Sequence, residues 1–168
     1  MIYLFLFFLF FVFFFLRFRI ASYLMRMCGL DLKKQVCVIT FYAGQVLCIN
    51  RALKRAGMDG RGLRVMTVDS FQGSECDAVI LSFVRSNMRG SVGFLQDFQR
   101  LNVALTRAKH LLVCVGCAQT LQKADKTDKK TLAQKHSGDG GKKYNHLAEI
   151  IYDAKRRSRL FLGSDLFK

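Results

Sequence analysis

Four short stretches of this chain are apolar almost from end to end: QVCVITFY (35–42), LRVMTV (63–68), DAVILSFV (77–84) and HLLVCVG (110–116). A strand with one wet face alternates polar and apolar residues, whereas a strand covered on both faces is apolar throughout. Between these runs the periodicity changes. GQVLCINRALKRA (44–56) repeats at helical spacing through Val46, Leu47, Asn50, Leu53 and Lys54, and stops at Gly57. QRLNVALTRAKH (99–110) sets Leu101, Ala104, Leu105 and Ala108 on one stripe, the i, i+3, i+4, i+7 pattern of a buried helix face. Covered strands alternating with amphipathic helices predict an α/β fold, a parallel sheet flanked by helices on both faces.

At 168 residues the chain is one domain long. The segment IASYLMRMCGLDLKK (20–34) reads as a short amphipathic helix ending near Gly29. From Lys123 to Lys143 the composition turns polar with almost no apolar anchors, which predicts a flexible insertion. A last helix, YNHLAEIIYDAKRRS (144–158), carries Leu147, Ile150 and Ile151 at helical spacing and ends in a basic cluster. The expected division is a head over 1–19, an α/β domain over 20–122, the insertion over 123–143, and a helix with a basic tail over 144–168.

The head, MIYLFLFFLFFVFFFL over residues 1–16, is a separate problem. It falls just short of the roughly 17–25 apolar residues of a membrane-spanning helix. It has neither the basic start nor the small-residue cleavage site of a secretory signal. Arg17, Arg19 and Arg26 follow it, as they would follow an anchor whose carboxyl side faces the cytoplasm. Tyr3 apart, every residue is Met, Ile, Leu, Phe or Val, the set encoded by codons with a central U. A translated pyrimidine-rich non-coding tract would read this way, so the head is expected to be absent from the native protein, with an anchor as the alternative.

The formal charge is +15 and the isoelectric point near 10.0. A surface this basic suits nucleic acid or an anionic membrane. Of the six cysteines, Cys28, Cys37, Cys48, Cys76, Cys114 and Cys117, most lie in apolar runs, where a free thiol behaves as a small core residue. Cys114 and Cys117 have CxxC spacing, but no second pair follows to complete a zinc site, and no metal ligand set is assigned. Reduced thiols and a nuclear or cytoplasmic location are expected, with a membrane only if the head is real.

Two positions on the 99–110 helix carry more than surface charge. Arg100 and Arg107 are seven apart and project along one edge of the apolar stripe, while Asn102, Thr106 and Lys109 point away. Guanidinium is permanently charged, and its donor fork fits phosphate oxygens. Upstream, VMTVDSFQGSECD (65–77) leaves a buried strand through Thr67, Asp69 and Ser70, turns at Gly73, and continues through Glu75 and Asp77. In open α/β sheets ligands bind beyond the carboxyl ends of the strands, so a binding loop is expected here.

The blocks VITFYAGQ, MTVDSFQGSECDAVILSFVRSN and GFLQDFQRLNVALTRAKHLLVCVG occur in that order from about Leu30 to Leu121. Together they resemble motifs IV, V and VI of superfamily 1 helicases, with senataxin-type and nonsense-mediated-decay RNA helicases the nearest in kind. The resemblance implies the second RecA-like domain of such an enzyme, a P-loop NTPase-type fold without the P-loop itself. It implies ATP held between two RecA-like domains, and single-stranded RNA or DNA crossing both. Carried over by position, Arg107 is the arginine that reaches the γ-phosphate. An arginine finger of this kind is worth about 10³–10⁵ in rate in other NTPases. Arg100 supports the same pocket, and Gly73 and Glu75 form the turn that meets the nucleotide. Thr67, Asp69, Ser70, Thr40 and Tyr42 face the nucleic-acid track. Phe41 stands where many relatives have proline, and Ser74 where arginine is common.

The 168 residues contain no G-x-x-x-x-G-K-[ST] loop and no Asp-Glu pair for magnesium. GDGGKK (138–143) lacks both the spacing and the Ser or Thr of a phosphate loop. The resemblance therefore assigns nucleotide binding and the Mg²⁺ ligands to a partner first RecA-like domain. The expected function is the C-terminal half of an ATP-dependent RNA or DNA helicase, which supplies an arginine finger and part of the track and does not hydrolyse ATP alone. The alternative is a non-catalytic nucleic-acid-binding or regulatory module derived from a helicase.

Overall fold

Val36–Thr40 is buried at every position, and its side chains divide by parity. Val36 and Val38 join Ala78, Ile80, Val113 and Val115 in one core, while Cys37 and Ile39 join Val79, Leu81, Leu112 and Cys114 in another. Two cores from alternating residues mean a sheet covered on both faces, as the apolar runs predict. The computed structural model describes residues 2–7, 28–58, 62–85, 92–123 and 146–162. Its strands are β1 (Ile2–Phe7), β2 (Val36–Thr40), β3 (Arg64–Thr67), β4 (Cys76–Ser82), β5 (Ala108–Gly116) and β6 (Leu160–Leu162). They form one sheet in the order β3-β2-β4-β5-β1-β6, with every pairing parallel.

Helix α1 (Ala43–Arg55) covers the first face through Ile49 and Leu53, together with Leu32 and Met58. Helices α2 (Phe98–Leu105) and α3 (His146–Arg156) cover the second. There Leu101 and Ala104 of α2 and Leu147, Ile151 and Ala154 of α3 pack with Phe71, Phe83 and Leu121. Phe41 stacks on Phe83 with ring centroids 5.9 Å apart. Residues 118–123 are also helical.

The structure departs from the sequence reading at two places. The 99–110 run is not one helix. α2 ends at Leu105, and Ala108 already belongs to β5. The Thr106 hydroxyl donates back to the Asn102 and Val103 carbonyls at 2.9 and 3.2 Å, and the Cys76 amide donates to the Arg107 carbonyl at 3.1 Å. The ladder to β4 thus takes over the backbone that helical periodicity assigns to α2. The second departure is the head. Ile2–Phe7, placed by the sequence outside the domain, pair with Leu111–Gly116 on one side and, through Phe5–Phe7, with Leu160–Leu162 on the other. A short apolar run bounded by two parallel strands satisfies its backbone on both edges, which a codon argument does not consider. Among the described residues no helix is long and apolar enough to cross a membrane. Of the helix read over 20–34 and ending near Gly29, residues 20–27 lie outside the described residues and residues 28–34 are not helical; of the 123–143 insertion only Lys123 is described.

Burial pushes the Cys37 thiol up to about 12 from an ordinary 9.0, with nearby Cys76 adding and Arg64 opposing. Burial also pushes the Cys114 thiol above its usual value. An unfolded chain ionises both thiols near their ordinary value, while the folded chain keeps them neutral. Their contribution is therefore complete below pH 9 and is lost as pH rises toward 12. Urea unfolding at neutral pH and at about pH 10 should show a falling midpoint, and a Cys37→Ala, Cys114→Ala variant should show a shallower fall.

Candidate functional site

β3 and β4 are parallel, so the connection between them must cross from the carboxyl edge of the sheet to its amino edge. It leaves β3 at Thr67, whose hydroxyl lies 2.8 Å from that of Ser70 and accepts the Ser70 amide at 3.2 Å. A 3₁₀ turn over Asp69–Phe71 follows, pinned by the fully buried Phe71. Gly73 then adopts φ +79, a left-handed conformation that other residues enter with strain, and the chain reaches Cys76 at the start of β4. Asp69 and Ser70 therefore sit toward the carboxyl edge and Gly73–Glu75 toward the amino edge. Both groups are solvent-exposed. The sequence reading, which puts this whole loop beyond the carboxyl ends, is corrected for its second half.

α2 makes the same crossing. Asp97 caps it, its carboxylate accepting the Gln99 and Arg100 amides at 3.0 and 3.2 Å. This is the N-cap arrangement that satisfies the otherwise unpaired amides of a first turn. Arg100, one turn in, places Nε 3.2 Å from the Asp69 carboxylate and 3.7 Å from that of Asp97. Arg107 lies beyond the end of the helix. Its Nε donates to the Val103 carbonyl at 3.0 Å, Nη1 to the Ser74 carbonyl at 3.3 Å and Nη2 to the Thr106 hydroxyl at 3.3 Å. Among the described residues, three of its five N–H groups are engaged, leaving two for another acceptor.

The two arginines therefore do not share one side of one helix. At about 1.5 Å per residue they are separated by roughly 10 Å along α2, one at each end of the crossing. Arg107 meets the Gly73–Glu75 turn through Ser74, whereas Arg100 meets Asp69 instead of joining Arg107. Lys109 is exposed on β5 rather than on a helix face.

The remaining candidates lie along the carboxyl edge. Thr40 is fully buried, and its hydroxyl donates to the Ser82 carbonyl at 3.4 Å, so its side chain faces β4 and not solvent. Tyr42 is half-buried, and its hydroxyl donates to the Val92 carbonyl at 3.3 Å. Arg85, which lies in the block MTVDSFQGSECDAVILSFVRSN but has no role assigned from the sequence, donates Nε to the Tyr42 hydroxyl at 3.0 Å and sets its guanidinium carbon over the Tyr42 ring, 5.2 Å from the centroid. Asp97 was also unassigned, although an Asp just before an apolar helical run is an N-cap signal in sequence. Arg85 has no such signal, because only the fold brings it to Tyr42. Cys114 of the CxxC pair is a core residue, and no group of three or more metal-ligating side chains occurs among the described residues. GDGGKK lies outside the described residues.

The sequence pattern of a known family, the AAA domain, matches residues 17–119. This chain belongs to that family. It is a second RecA-like domain of the superfamily 1 helicase type. Over 97 residues it is 42% identical to human NFX1-type zinc finger-containing protein 1, covering 58% of this chain and 5% of that protein. It is 46% identical over 97 residues to Regulator of nonsense transcripts 1 of Dictyostelium discoideum, covering 55% of this chain and 7% of the relative. It is 48% identical over 86 residues to the human DNA replication ATP-dependent helicase/nuclease DNA2, covering 50% of this chain and 8% of the relative. The chain thus spans less than a tenth of the length of each. Every candidate residue from Thr40 to Arg107 falls within the matched AAA domain segment.

Within this helicase-type domain the contacts of Asp97 and Arg100 carry different weights. The carboxylate of Asp97 satisfies two first-turn amides, so Asp97→Ala should cost about 1 kcal/mol in chemical denaturation. The Asp69–Arg100 pair is largely solvated, so Asp69→Asn should cost less than about 1 kcal/mol.

Proposed function

We propose that the chain forms the C-terminal half of an ATP-dependent RNA or DNA helicase, supplying an arginine finger and half of a single-strand track. The observation that carries this reading is Arg107 held against the exposed Gly73–Glu75 turn by its bond to the Ser74 carbonyl. A turn with a left-handed glycine, flanked by an arginine with donors to spare, is chemically suited to the phosphates of ATP. Bound ATP supplies the phosphoryl group to be transferred. Arg107 stabilises charge that grows on that group, and Gly73 and Glu75 shape the wall beside it. The Mg²⁺ ligands belong to a first RecA-like domain, since these 168 residues contain no phosphate loop and no Asp-Glu pair for magnesium.

Single-stranded RNA or DNA runs along the opposite, carboxyl edge, over Thr67, Asp69, Ser70 and Tyr42. Thr40 acts there by fixing the end of β2, not by touching the strand. Arg100 contributes through Asp69 and not from inside the phosphate pocket. The two edges are linked, because segments 67–76 and 97–107 bond to each other at both ends through Asp69–Arg100 and Ser74–Arg107. A nucleic acid held at one edge therefore influences the arginine at the other. A non-catalytic module derived from a helicase is the competing reading, favoured by the three donors that Arg107 already spends inside its own domain.

The isolated chain should show no ATPase activity, and joining it to a matching first RecA-like domain should restore turnover stimulated by single-stranded nucleic acid. In the joined protein Arg107→Ala should lower kcat about 10²-fold or more, with Arg107→Lys recovering only part of the loss. Unchanged turnover in Arg107→Ala, with the melting temperature preserved, would support the non-catalytic module instead.

A further inference from the structure

The carboxyl edge holds a charged group that the proposed track does not use. β3, β2 and β4 are neighbours in that order, so the segments leaving them lie side by side. Thr67 and Ser70 follow β3, Tyr42 follows β2, and Arg85 follows β4. With parallel strands about 4.8 Å apart, these three exits form a row of roughly 10 Å. Arg85 ends that row. Its side chain is exposed, yet it is not a free surface arginine.

Two contacts fix it. Nε donates to the Tyr42 hydroxyl at 3.0 Å, and the guanidinium carbon lies over the Tyr42 ring, 5.2 Å from its centroid. Tyr42 is fixed in turn by its bond to the Val92 carbonyl. The backbone is shaped around this pair. Gly93 has φ +57, and a Cβ at that position would lie 2.6 Å from the Tyr42 hydroxyl and 3.2 Å from Arg85 Nη2. A side chain at 93 is excluded both by the backbone conformation and by the space the pair occupies. Among the described residues only Nε of Arg85 is engaged in a hydrogen bond, and no carboxylate neutralises the guanidinium. α1, which begins beside Tyr42, has no acidic residue in its first turn.

We infer that Arg85 is a backbone-phosphate contact for single-stranded nucleic acid, held in place by Tyr42 and by the side-chain-free Gly93. The inference rests on the reading of this edge as a single-strand track. An arginine held over an aromatic ring and bonded through Nε is already fixed in place, and its Nη groups have no hydrogen-bond partner among the described residues, so less side-chain freedom is lost when a phosphate binds. The contact reads no base, because phosphate oxygens are common to every nucleotide.

The test uses the full 168-residue chain and a short fluorescein-labelled oligouridine, with affinity followed by anisotropy over a range of salt concentrations. Arg85→Ala should weaken binding several-fold and reduce the slope of log K against log salt by about 0.7, the contribution of one phosphate contact on a single strand. Arg85→Lys should keep most of the slope but not all of the affinity. Tyr42→Phe, which removes the hydroxyl that orients Arg85, should weaken binding without lowering the slope as far. Lys155→Ala, the loss of an equal charge on α3, should leave affinity and slope at the parent's values. If Arg85→Ala melts the chain, Arg85→Gln carries the same test. A parent slope in the folded Arg85 variant, or an equal loss in Lys155→Ala, would overturn the inference while leaving the track intact. Failure of the parent chain to bind oligouridine at all would overturn both.

Discussion

The structure depends on a pair of crossings that bond to each other. Parallel strands force each connection to travel the height of the sheet, and here two connections, residues 68–75 and 97–107, travel over the same face. Phe71 anchors the first and Leu101 and Ala104 anchor the second, all in one core. Asp69 meets Arg100 at one end of the crossing, and Ser74 meets Arg107 at the other. The Cys76 amide closes the arrangement on the Arg107 carbonyl, at the point where β4 and β5 start side by side. The candidate residues at the amino edge and those at the carboxyl edge thus share one piece of packed structure.

This arrangement explains why the two arginines of the opening motif are not equivalent. Both sit on a segment that sequence periodicity treats as one helix, but the helix runs from Phe98 to Leu105 and ends before Arg107. Arg100 belongs to its first turn, where Asp97 and Asp69 hold it. Arg107 belongs to the first residues after it, where the next strand has begun to form. Their charges sit at opposite edges of the sheet.

The strands were legible because β2, most of β4 and the second half of β5 are buried on both faces, which leaves few polar positions to blur them, and the observed limits of β2 to β5 differ from the apolar runs by a few residues. The end of α2 was not legible, because Ala108 satisfies a helical stripe and a buried strand start equally well. The head was read through its codons, and its pairing with β5 and β6 depends on strands more than a hundred residues away in sequence. The site divides similarly. Gly73 and Arg107 stand out in the sequence as candidates, and the bond from Arg107 to the Ser74 carbonyl brings them to one place. The burial of Thr40 and the approach of Arg85 to Tyr42 arise from strand order, which no local pattern encodes.

The central claim, that the two edges act as one unit, is tested most directly by a double-mutant cycle on Asp69 and Arg100. The measurement is single-strand-stimulated ATP turnover of this domain joined to a first RecA-like domain. The account predicts that Asp69→Asn and Arg100→Gln each reduce the stimulation several-fold, and that the double variant is no worse than the more affected single one, because both remove the same link. Independent losses that multiply in the double variant, or stimulation at the parent level in all three, would contradict it.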